Sequence, residues 1–181
     1  MKVGLYFGSF NPVTYAHLDT AESSLKYVDE VWFIVSPENP LKDKSTLCGE
    51  NHRLEMVNIM IKNNRRLKSC DIEFSMKRPS YTIDTIHLLE QKYPEYEFYL
   101  IIGSDAINTM TRWKNYEELI KYPIIGFIRD GEEIKEKVTI TLVSNLHISS
   151  TDIRNRLKAG LSCNGLTKPE IIDYIKKNKL Y

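Results

Sequence analysis

A glycine, a proline, a hydroxyl and an imidazole fall together near the start of the sequence, in residues 8–17 (GSFNPVTYAH). Gly8 permits a tight turn and a close approach of the backbone to a ligand, and Pro12 stiffens the loop. His17 falls in the first turn of the predicted helix that follows, one turn after Thr14. Backbone N–H groups at a helix N-terminus attract anions, and the imidazole and hydroxyl add donors, so the segment could bind phosphate. A plain turn with a capping or exposed histidine explains these residues equally well.

A second polar segment lies in residues 148–154 (ISSTDIR). It has the pattern of a strand end, two hydroxyl side chains and a helix with an arginine in its first turn. We expect Ser150 and Thr151 to be the N-cap residues of a helix that extends to Lys158. An ordinary cap followed by a solvated Arg154 is the simplest interpretation of this segment alone.

These two segments need a scaffold, and the apolar pattern of the chain predicts one. Predicted strands cover residues 3–7, 30–36, 71–75, 98–102, 124–128 and 138–143. Of the predicted helices, the first follows the loop that ends at residue 15 and the second begins near residue 51. The others cover residues 82–91, 116–121 and 151–158, and a last helix begins at Pro169. Strands that alternate with helices indicate an α/β fold, a doubly wound and mostly parallel sheet with helices on both faces. Ligands bind such sheets at the carboxyl ends of strands, so the loops after Phe7, Val35 and Ile102 are the places to look.

Length and composition narrow the class of protein. The 181 residues predict one domain, 1–181, with a C-terminal helical segment from about residue 151. The 25 basic and 24 acidic residues give no field that would attract nucleic acid or an anionic membrane. The three cysteines are odd in number and far apart, which disfavours a disulfide framework or a zinc site. The chain shows neither a signal-peptide layout nor an apolar run of roughly 20 residues, and we expect a cytoplasmic protein.

Residues 8–17 resemble the first signature of the HxGH (T/HxGH) nucleotidyltransferase superfamily, and residues 148–154 resemble its ISSTxxR element. Ala16 stands where the motif usually has glycine. The resemblance implies a Rossmann-like fold in which Thr14 and His17 contact the triphosphate of a nucleotide. It also implies that ATP is bound by Gly8, Ser9, Phe10, His17, Ser149, Ser150 and Arg154, with Ser150 and Arg154 on the β- and γ-phosphates.

Within that superfamily, residues 79–85 (PSYTIDT), residues 102–105 (IGSD) and Trp113 resemble the nicotinate mononucleotide adenylyltransferase family. A pyridine ring needs a stacking surface, which Trp113 would offer, although a core aromatic is the alternative. The backbone N–H groups of Tyr81 and Thr82, at a helix start, would receive the nicotinate carboxylate, unless Thr82 is a plain helix cap. Asp105 would accept hydrogen bonds from ribose hydroxyls, with an N-cap role as its alternative.

The resemblance also places a phosphate-binding lysine after the second strand. Lys42 corresponds to it and Lys44 is a substitute, so the implied catalytic residues are His17, Thr14, Lys42 and Arg154. We expect Mg²⁺ to be carried by the ATP phosphates, and no metal site built by protein side chains is visible in the sequence. His52, His87 and His147 have no convergent partners in sequence and are predicted to be structural or surface residues.

The expected reaction moves the adenylyl group of ATP to nicotinate mononucleotide, giving nicotinate adenine dinucleotide and pyrophosphate in NAD biosynthesis. Thr14 and the first loop, however, also resemble the phosphopantetheine adenylyltransferase branch of the superfamily. That activity and a catalytically inactive nucleotide-binding module are the alternatives. The expected partners are ATP and nicotinate mononucleotide, with no nucleic acid and no membrane, and a homo-oligomer is left open.

Overall fold

The computed structural model describes residues 1–38, 46–129, 133–144 and 146–181. In these residues six strands form one parallel sheet in the order β3-β2-β1-β4-β5-β6. The strands are β1 (Lys2–Gly8), β2 (Glu30–Val35), β3 (Leu67–Cys70), β4 (Glu97–Gly103), β5 (Ile124–Arg129) and β6 (Ile140–Ser144). The helices are α1 (Tyr15–Ser24), α2 (Glu50–Ile61), α3 (Thr82–Lys92), α4 (Ser104–Ile107), α5 (Tyr116–Leu119), α6 (Ser150–Lys158) and α7 (Pro169–Lys177). The predicted doubly wound α/β fold is confirmed.

Strand β1 lies at the centre of the sheet and pairs with β2 on one side and β4 on the other. Leu5, for example, is in register with Trp32 of β2 and Leu100 of β4. The strand order reverses between β1 and β4, so the loops that leave these two strands diverge at one edge of the sheet. A crevice at such a reversal is where doubly wound sheets bind ligands.

Each face of the sheet is covered by its own apolar layer, because successive side chains of a strand point to opposite faces. Tyr6 belongs to a buried cluster with Val57 of α2 and Ile171 of α7. Its neighbour Leu5 belongs to the other cluster, with Ile83 of α3. The helices therefore pack on both faces of the sheet, and the loops lie at its carboxyl edge. None of the described helices is long and apolar enough to cross a membrane.

The predicted strand at residues 71–75 is wrong. The third strand ends at Cys70, where its pairing with β2 ends opposite Ile34, and Ile72–Ser75 form a 3₁₀ turn. The alternating apolar pattern of this stretch suggested a strand, but the turn instead brings Glu73 into the interior. Gly160 follows the α6 C-cap with a φ of +67°, and the predicted start of α7 at Pro169 is confirmed.

Candidate active site

Helix α1 begins directly after the first loop with a reciprocal cap between Thr14 and His17. The Thr14 N–H donates to Nδ1 of His17 at 3.0 Å, and Thr14 Oγ1 accepts from the His17 N–H at 3.3 Å. Because a backbone N–H can only donate, Nδ1 of His17 acts as an acceptor and the ring proton lies on Nε2. The half-buried imidazole therefore carries its N–H donor on the side away from Thr14. Thr14 itself is fully buried, and its predicted contact with the triphosphate stays a prediction.

The ring of Phe10 supports His17 from below. Its centroid lies 5.3 Å from that of His17, 5.6 Å from Tyr6 and 5.2 Å from Phe33. Phe10 has a φ of +47°, and a Cβ on Gly8 would lie 2.7 Å from the Phe10 ring, so this turn needs glycine at position 8. Phe10 is only 3% exposed, and its predicted contact with ATP stays a prediction.

The ISSTxxR segment packs onto the first loop. Arg154 donates from Nη1 to the Asn11 carbonyl at 2.8 Å, and Ser150 donates from Oγ to the Pro12 carbonyl at 2.7 Å, across 143 and 138 residues of sequence. The second nitrogen of Arg154, Nη2, lies 3.2 Å from Thr151 Oγ1. The structure thus brings together the two segments that the resemblance assigns to ATP.

The N-cap of α6 is Ser149, and the prediction of Ser150 and Thr151 as caps is wrong. Ser149 has extended backbone angles and its Oγ accepts from the Asp152 N–H at 3.0 Å. Ser150 is the first residue of α6, and its hydroxyl donates to the first loop and does not cap the helix. Ser149, which is exposed, and the half-buried Ser150 both remain predicted ATP ligands.

Asn11, which sequence reasoning did not single out, is bonded to several parts of the chain. Its Nδ2 donates to the Thr46 carbonyl at 2.8 Å, and its Oδ1 accepts from the Cys48 N–H at 3.2 Å and from Tyr181 Oη at 2.6 Å. Its backbone carbonyl is the one that Arg154 binds. One amide side chain therefore fixes the first loop against segments that precede α2 and follow α7.

Arg53 is a second residue that sequence reasoning missed. Its guanidinium is fully buried and donates to the carbonyls of Ser9, Ser36, Pro37 and Cys48 at 2.7 to 2.9 Å. Burial lowers its pKa from the ordinary value. The fork of donors fits this cluster of carbonyls, and it ties the loop after β1 to the loop after β2. The pattern of α2 gave no signal for it, since a lone arginine in a helix is usually solvated.

Lys42 and Lys44 lie outside the described residues. Arg53 and Asn11 hold the chain on both sides of them, through Pro37 before and Thr46 and Cys48 after. Contact of either lysine with phosphate stays a prediction.

Two of the predicted acceptor residues, Tyr81 and Thr82, lie at the start of α3. The N-cap there is Tyr81 without any side-chain cap, so Thr82 is the first helical residue and is not the plain cap. Lys114 Nζ lies 2.8 and 2.7 Å from the two carboxylate oxygens of Asp84 and 5.0 Å from the centre of the Tyr81 ring. The ion pair between Lys114 and Asp84 joins the segment that contains Trp113 to the first turn of α3.

Trp113 is half-buried and packs against the second apolar cluster. It also forms part of the wall of a cleft of about 780 Å³ beside α5, whose other lining residues are Thr111, Asn115, Tyr116, Glu117, Glu118, Lys121 and Tyr122. That cleft shares only Trp113 with the predicted site, so the helix start and not the cleft marks the position of the predicted acceptor carboxylate. The stacking role of Trp113 stays a prediction.

A buried carboxylate, which sequence reasoning also missed, holds the segment that leads into α3. Glu73 is 2% exposed, and it accepts from Thr85 Oγ1 at 2.7 Å and from Ser80 Oγ at 2.8 Å. Burial raises the pKa of this carboxyl, and its hydroxyl donors oppose that rise. Ser80 directly precedes Tyr81, so Glu73 fixes the approach of the chain to α3.

Asp105 lies at the carboxyl end of β4, beside the end of β1. A Cβ on Gly103 would lie 2.8 Å from Asp105 Oδ1, so the carboxylate leans back over the end of the strand. Gly103, not Asp105, is the N-cap of α4. The exposed carboxylate is thus available at the point where strand order reverses, and its contact with ribose stays a prediction.

The other histidines are not part of the cap at α1. His52 Nδ1 is 2.8 Å from Tyr174 Oη and His87 binds Glu118, while His147 is exposed. Within residues 1–38, 46–129, 133–144 and 146–181, no group of three or more His, Cys, Asp or Glu side chains could hold a metal ion.

The geometry is that of an anion site beside a second binding loop. The start of α1, the Nε2–H donor of His17 and the guanidinium of Arg154 all belong to one corner at the end of β1. Preorganised donors of this kind stabilise charge that develops on a phosphoryl group. The first turn of α3, whose N-cap Tyr81 makes no side-chain cap hydrogen bond, could hold a second anion.

Comparison with known proteins agrees with this geometry. The cytidylyltransferase-like family model matches residues 5–156. A probable nicotinate-nucleotide adenylyltransferase of Flavobacterium johnsoniae is 39% identical over all of this chain and 99% of its own length, and one of Bacillus licheniformis is 33% identical over 99% and 98%.

Among solved structures, the Plasmodium falciparum nicotinic acid mononucleotide adenylyltransferase complexed with NaAD matches with a TM-score of 0.82 and 26% identity. The match covers 99% of this chain and 97% of that one. The same enzyme complexed with APC matches with a TM-score of 0.80. With full-length relatives well above 30% identity, a family model over most of its residues and the same fold throughout, this chain belongs to the nicotinate-nucleotide adenylyltransferase family.

Proposed function

We propose that the protein transfers the adenylyl group of ATP to nicotinate mononucleotide, giving nicotinate adenine dinucleotide and pyrophosphate, a step of NAD biosynthesis. The observation that supports the proposal is the pair of hydrogen bonds from Arg154 and Ser150 to the first loop, which brings the two distant signatures into contact. Full-length relatives that carry this activity in their names support the choice of acceptor.

In the proposed reaction, an oxygen of the acceptor's 5′-phosphate attacks the α-phosphorus of ATP. A new P–O bond forms while the bond between the α-phosphorus and the bridging oxygen breaks, and pyrophosphate leaves with that electron pair. The nucleophile is already an anion at neutral pH, so no general base is needed. The protein's contribution is to position two anions that repel each other and to stabilise the transition state.

Two residues divide this task at the ATP end. His17, whose Nδ1 accepts from the Thr14 N–H, presents Nε2–H as a donor to the α-phosphate. Arg154, held by the Asn11 carbonyl, receives the departing β- and γ-phosphates. Mg²⁺ carried by those phosphates would neutralise further charge, and turnover should then be lost in excess chelator and restored by added Mg²⁺.

At the acceptor end, the first turn of α3 receives the carboxylate of the pyridine ring, and Trp113 stacks on the ring. Thr14 does not decide between the two acceptors, because the first loop that it ends would serve ATP in either reaction, and its hydroxyl caps α1. Asp105, at the end of β4, binds ribose hydroxyls in the same proposal.

The test is an end-point assay of purified protein with ATP, Mg²⁺ and one acceptor at a time. Nicotinate mononucleotide, nicotinamide mononucleotide and phosphopantetheine are compared, with dinucleotide and pyrophosphate separated by chromatography. We expect nicotinate adenine dinucleotide as the main product. A product from phosphopantetheine alone would support that rival, and no product from any acceptor would support an inactive nucleotide-binding module.

A further inference from the structure

Tyr181 contacts the ATP corner, which is the proposed site beside the end of β1 that His17, Arg154 and the first loop form. It follows α7, has a φ of +71° and places its hydroxyl 2.6 Å from Oδ1 of Asn11, 170 residues away. Its side chain is largely enclosed, and its oxygen also lies 3.2 Å from Cys48 Sγ. Asn11 belongs to the first signature segment, whereas Tyr181 lies outside both signatures.

The direction of the bond follows from the groups involved. Burial raises the pKa of the Tyr181 hydroxyl above its ordinary value, so the group keeps its proton. An amide oxygen can only accept, so that single proton is donated to Oδ1 of Asn11. The Cys48 thiol lies 3.2 Å from the same Tyr181 oxygen and 3.9 Å from the Gly49 carbonyl, either of which can accept its proton.

Asn11 passes this constraint to the phosphate site. Tyr181 fixes Oδ1, which leaves Nδ2 directed at the Thr46 carbonyl and prevents the amide from turning over. With its side chain anchored, Asn11 presents its backbone carbonyl to Arg154 at 2.8 Å. The position of the guanidinium thus depends on a hydroxyl that does not itself belong to the phosphate-binding loop.

We propose that Tyr181 is a positioning residue of the ATP site, which holds Asn11 and through it Arg154 in the geometry that binds the triphosphate. The proposal rests on the assignment of this corner to ATP in the proposed function. It predicts that loss of the Tyr181 hydroxyl weakens binding of ATP and leaves the acceptor site unchanged, because in the described residues Tyr181, Asn11 and Arg154 make no hydrogen bond to α3 or Trp113.

The test compares Tyr181→Phe with a matched variant, Tyr174→Phe. Both changes remove one hydroxyl that makes a hydrogen bond in the C-terminal part of the chain, but Tyr174 binds His52 and does not contact the first loop. Given the net value of a single hydrogen bond, we expect Tyr181→Phe to raise the Kd of ATP, measured by calorimetry without acceptor, by about 3- to 10-fold. Tyr174→Phe should leave that Kd within about 2-fold.

Kinetics then separate positioning from a general loss of structure. Tyr181→Phe should raise the KM for ATP and leave the KM for nicotinate mononucleotide unchanged, with an unaltered circular dichroism spectrum. An unchanged Kd for ATP, equal effects of the two tyrosine variants, or a parallel rise in both KM values would overturn the proposal.

Asn11→Ala approaches the same bond from its other side and serves if Tyr181→Phe does not fold. It should weaken ATP binding more than Tyr181→Phe does, and adding Tyr181→Phe to it should have no further effect. Independent, multiplying effects would show that Tyr181 does not act through Asn11. The binding measurement needs no acceptor, so a wild-type protein that binds ATP without making the dinucleotide would sink the proposed function and leave this inference standing.

Discussion

Replacement of Arg53 by methionine would test how the two loops at the end of β1 and β2 are held. The buried guanidinium donates to four backbone carbonyls, and methionine fills similar space without a donor. Hydrogen bonds to a charged group contribute about 1.5 to 3 kcal/mol each, and burial of the ion offsets several kcal/mol of that sum. We therefore expect a net loss of about 3 to 5 kcal/mol, comparable with breaking one side of a buried ion pair.

Thermal unfolding measures that loss directly. For a chain of this size about 1 kcal/mol corresponds to about 2 to 4 °C, so Arg53→Met should lower Tm by roughly 6 to 20 °C. The KM values for ATP and acceptor should both rise, because the four carbonyls belong to the loops after β1 and β2. Arg53→Lys keeps the charge but not the fork of donors, and it should recover only part of the stability.

Arg66 provides the matched control at the opposite edge of the sheet. It donates to three backbone carbonyls, those of Leu25, Val28 and Asp29, at 2.7 to 2.8 Å, but it is exposed. Arg66→Met should therefore lower Tm less and leave both KM values unchanged. Unchanged KM values in folded Arg53→Met protein, or equal effects of the two substitutions, would refute the reasoning.

Three further substitutions separate the parts of the site. His17→Ala should lower kcat by about 10²- to 10³-fold with little change in ATP affinity, because its donor acts on the developing charge. Trp113→Leu should raise the KM for nicotinate mononucleotide by about 3- to 10-fold and leave the KM for ATP unchanged, in steady-state assays. Glu73→Gln should flatten the dependence of stability on pH in urea unfolding. Since burial raises the pKa of Glu73, its contribution is fully present below the ordinary value of 4.5 and is lost as pH rises through the raised value. The variant should therefore gain stability relative to wild type as pH rises above 4.5.

Each of these has a control or an opposing result. His147→Ala, at an exposed histidine, should behave as wild type, and near-normal turnover of His17→Ala would remove His17 from its role. Trp113→Phe should retain most of the acceptor affinity, whereas equal losses with Phe and Leu would argue against stacking. A constant difference in stability between Glu73→Gln and wild type from pH 4.5 to 8 would contradict a raised pKa for this carboxyl.

The sheet was predictable because its signals are local. Apolar runs separated by turn residues indicated β1, β2 and β4. The two signatures indicated His17 and Arg154, and the fold brings their segments into contact. The stretch from residue 71 to 75 was misread because Ile72 and Phe74 alternate with polar residues as in a half-buried strand, whereas the chain turns there and buries Glu73 instead. The position of the α6 cap was misread by one residue because three hydroxyl residues stand in a row.

The residues that escaped sequence reasoning act at long range. Arg53, Asn11 and Glu73 bind backbone carbonyls or hydroxyls brought near only by the fold, and no spacing in the sequence announces such partners. Tyr181 contacts Asn11 across 170 residues. The resemblance predicted which residues contact substrate, and the structure shows which long-range contacts hold their loops.

The bond between Asn11 and Tyr181 also fixes when the ATP corner can form during synthesis. Ribosomes add about 5 to 20 residues per second, so Asn11 is made roughly 10 to 30 s before the residue that secures it. During that interval β1, α1 and β2 are available to fold, but Arg154 and Tyr181 do not yet exist. If Arg154 and Tyr181 complete the triphosphate site as proposed, the nascent chain lacks that site until they are made. We then expect ATP to stabilise the protein by mass action only after residues 149–181 have docked.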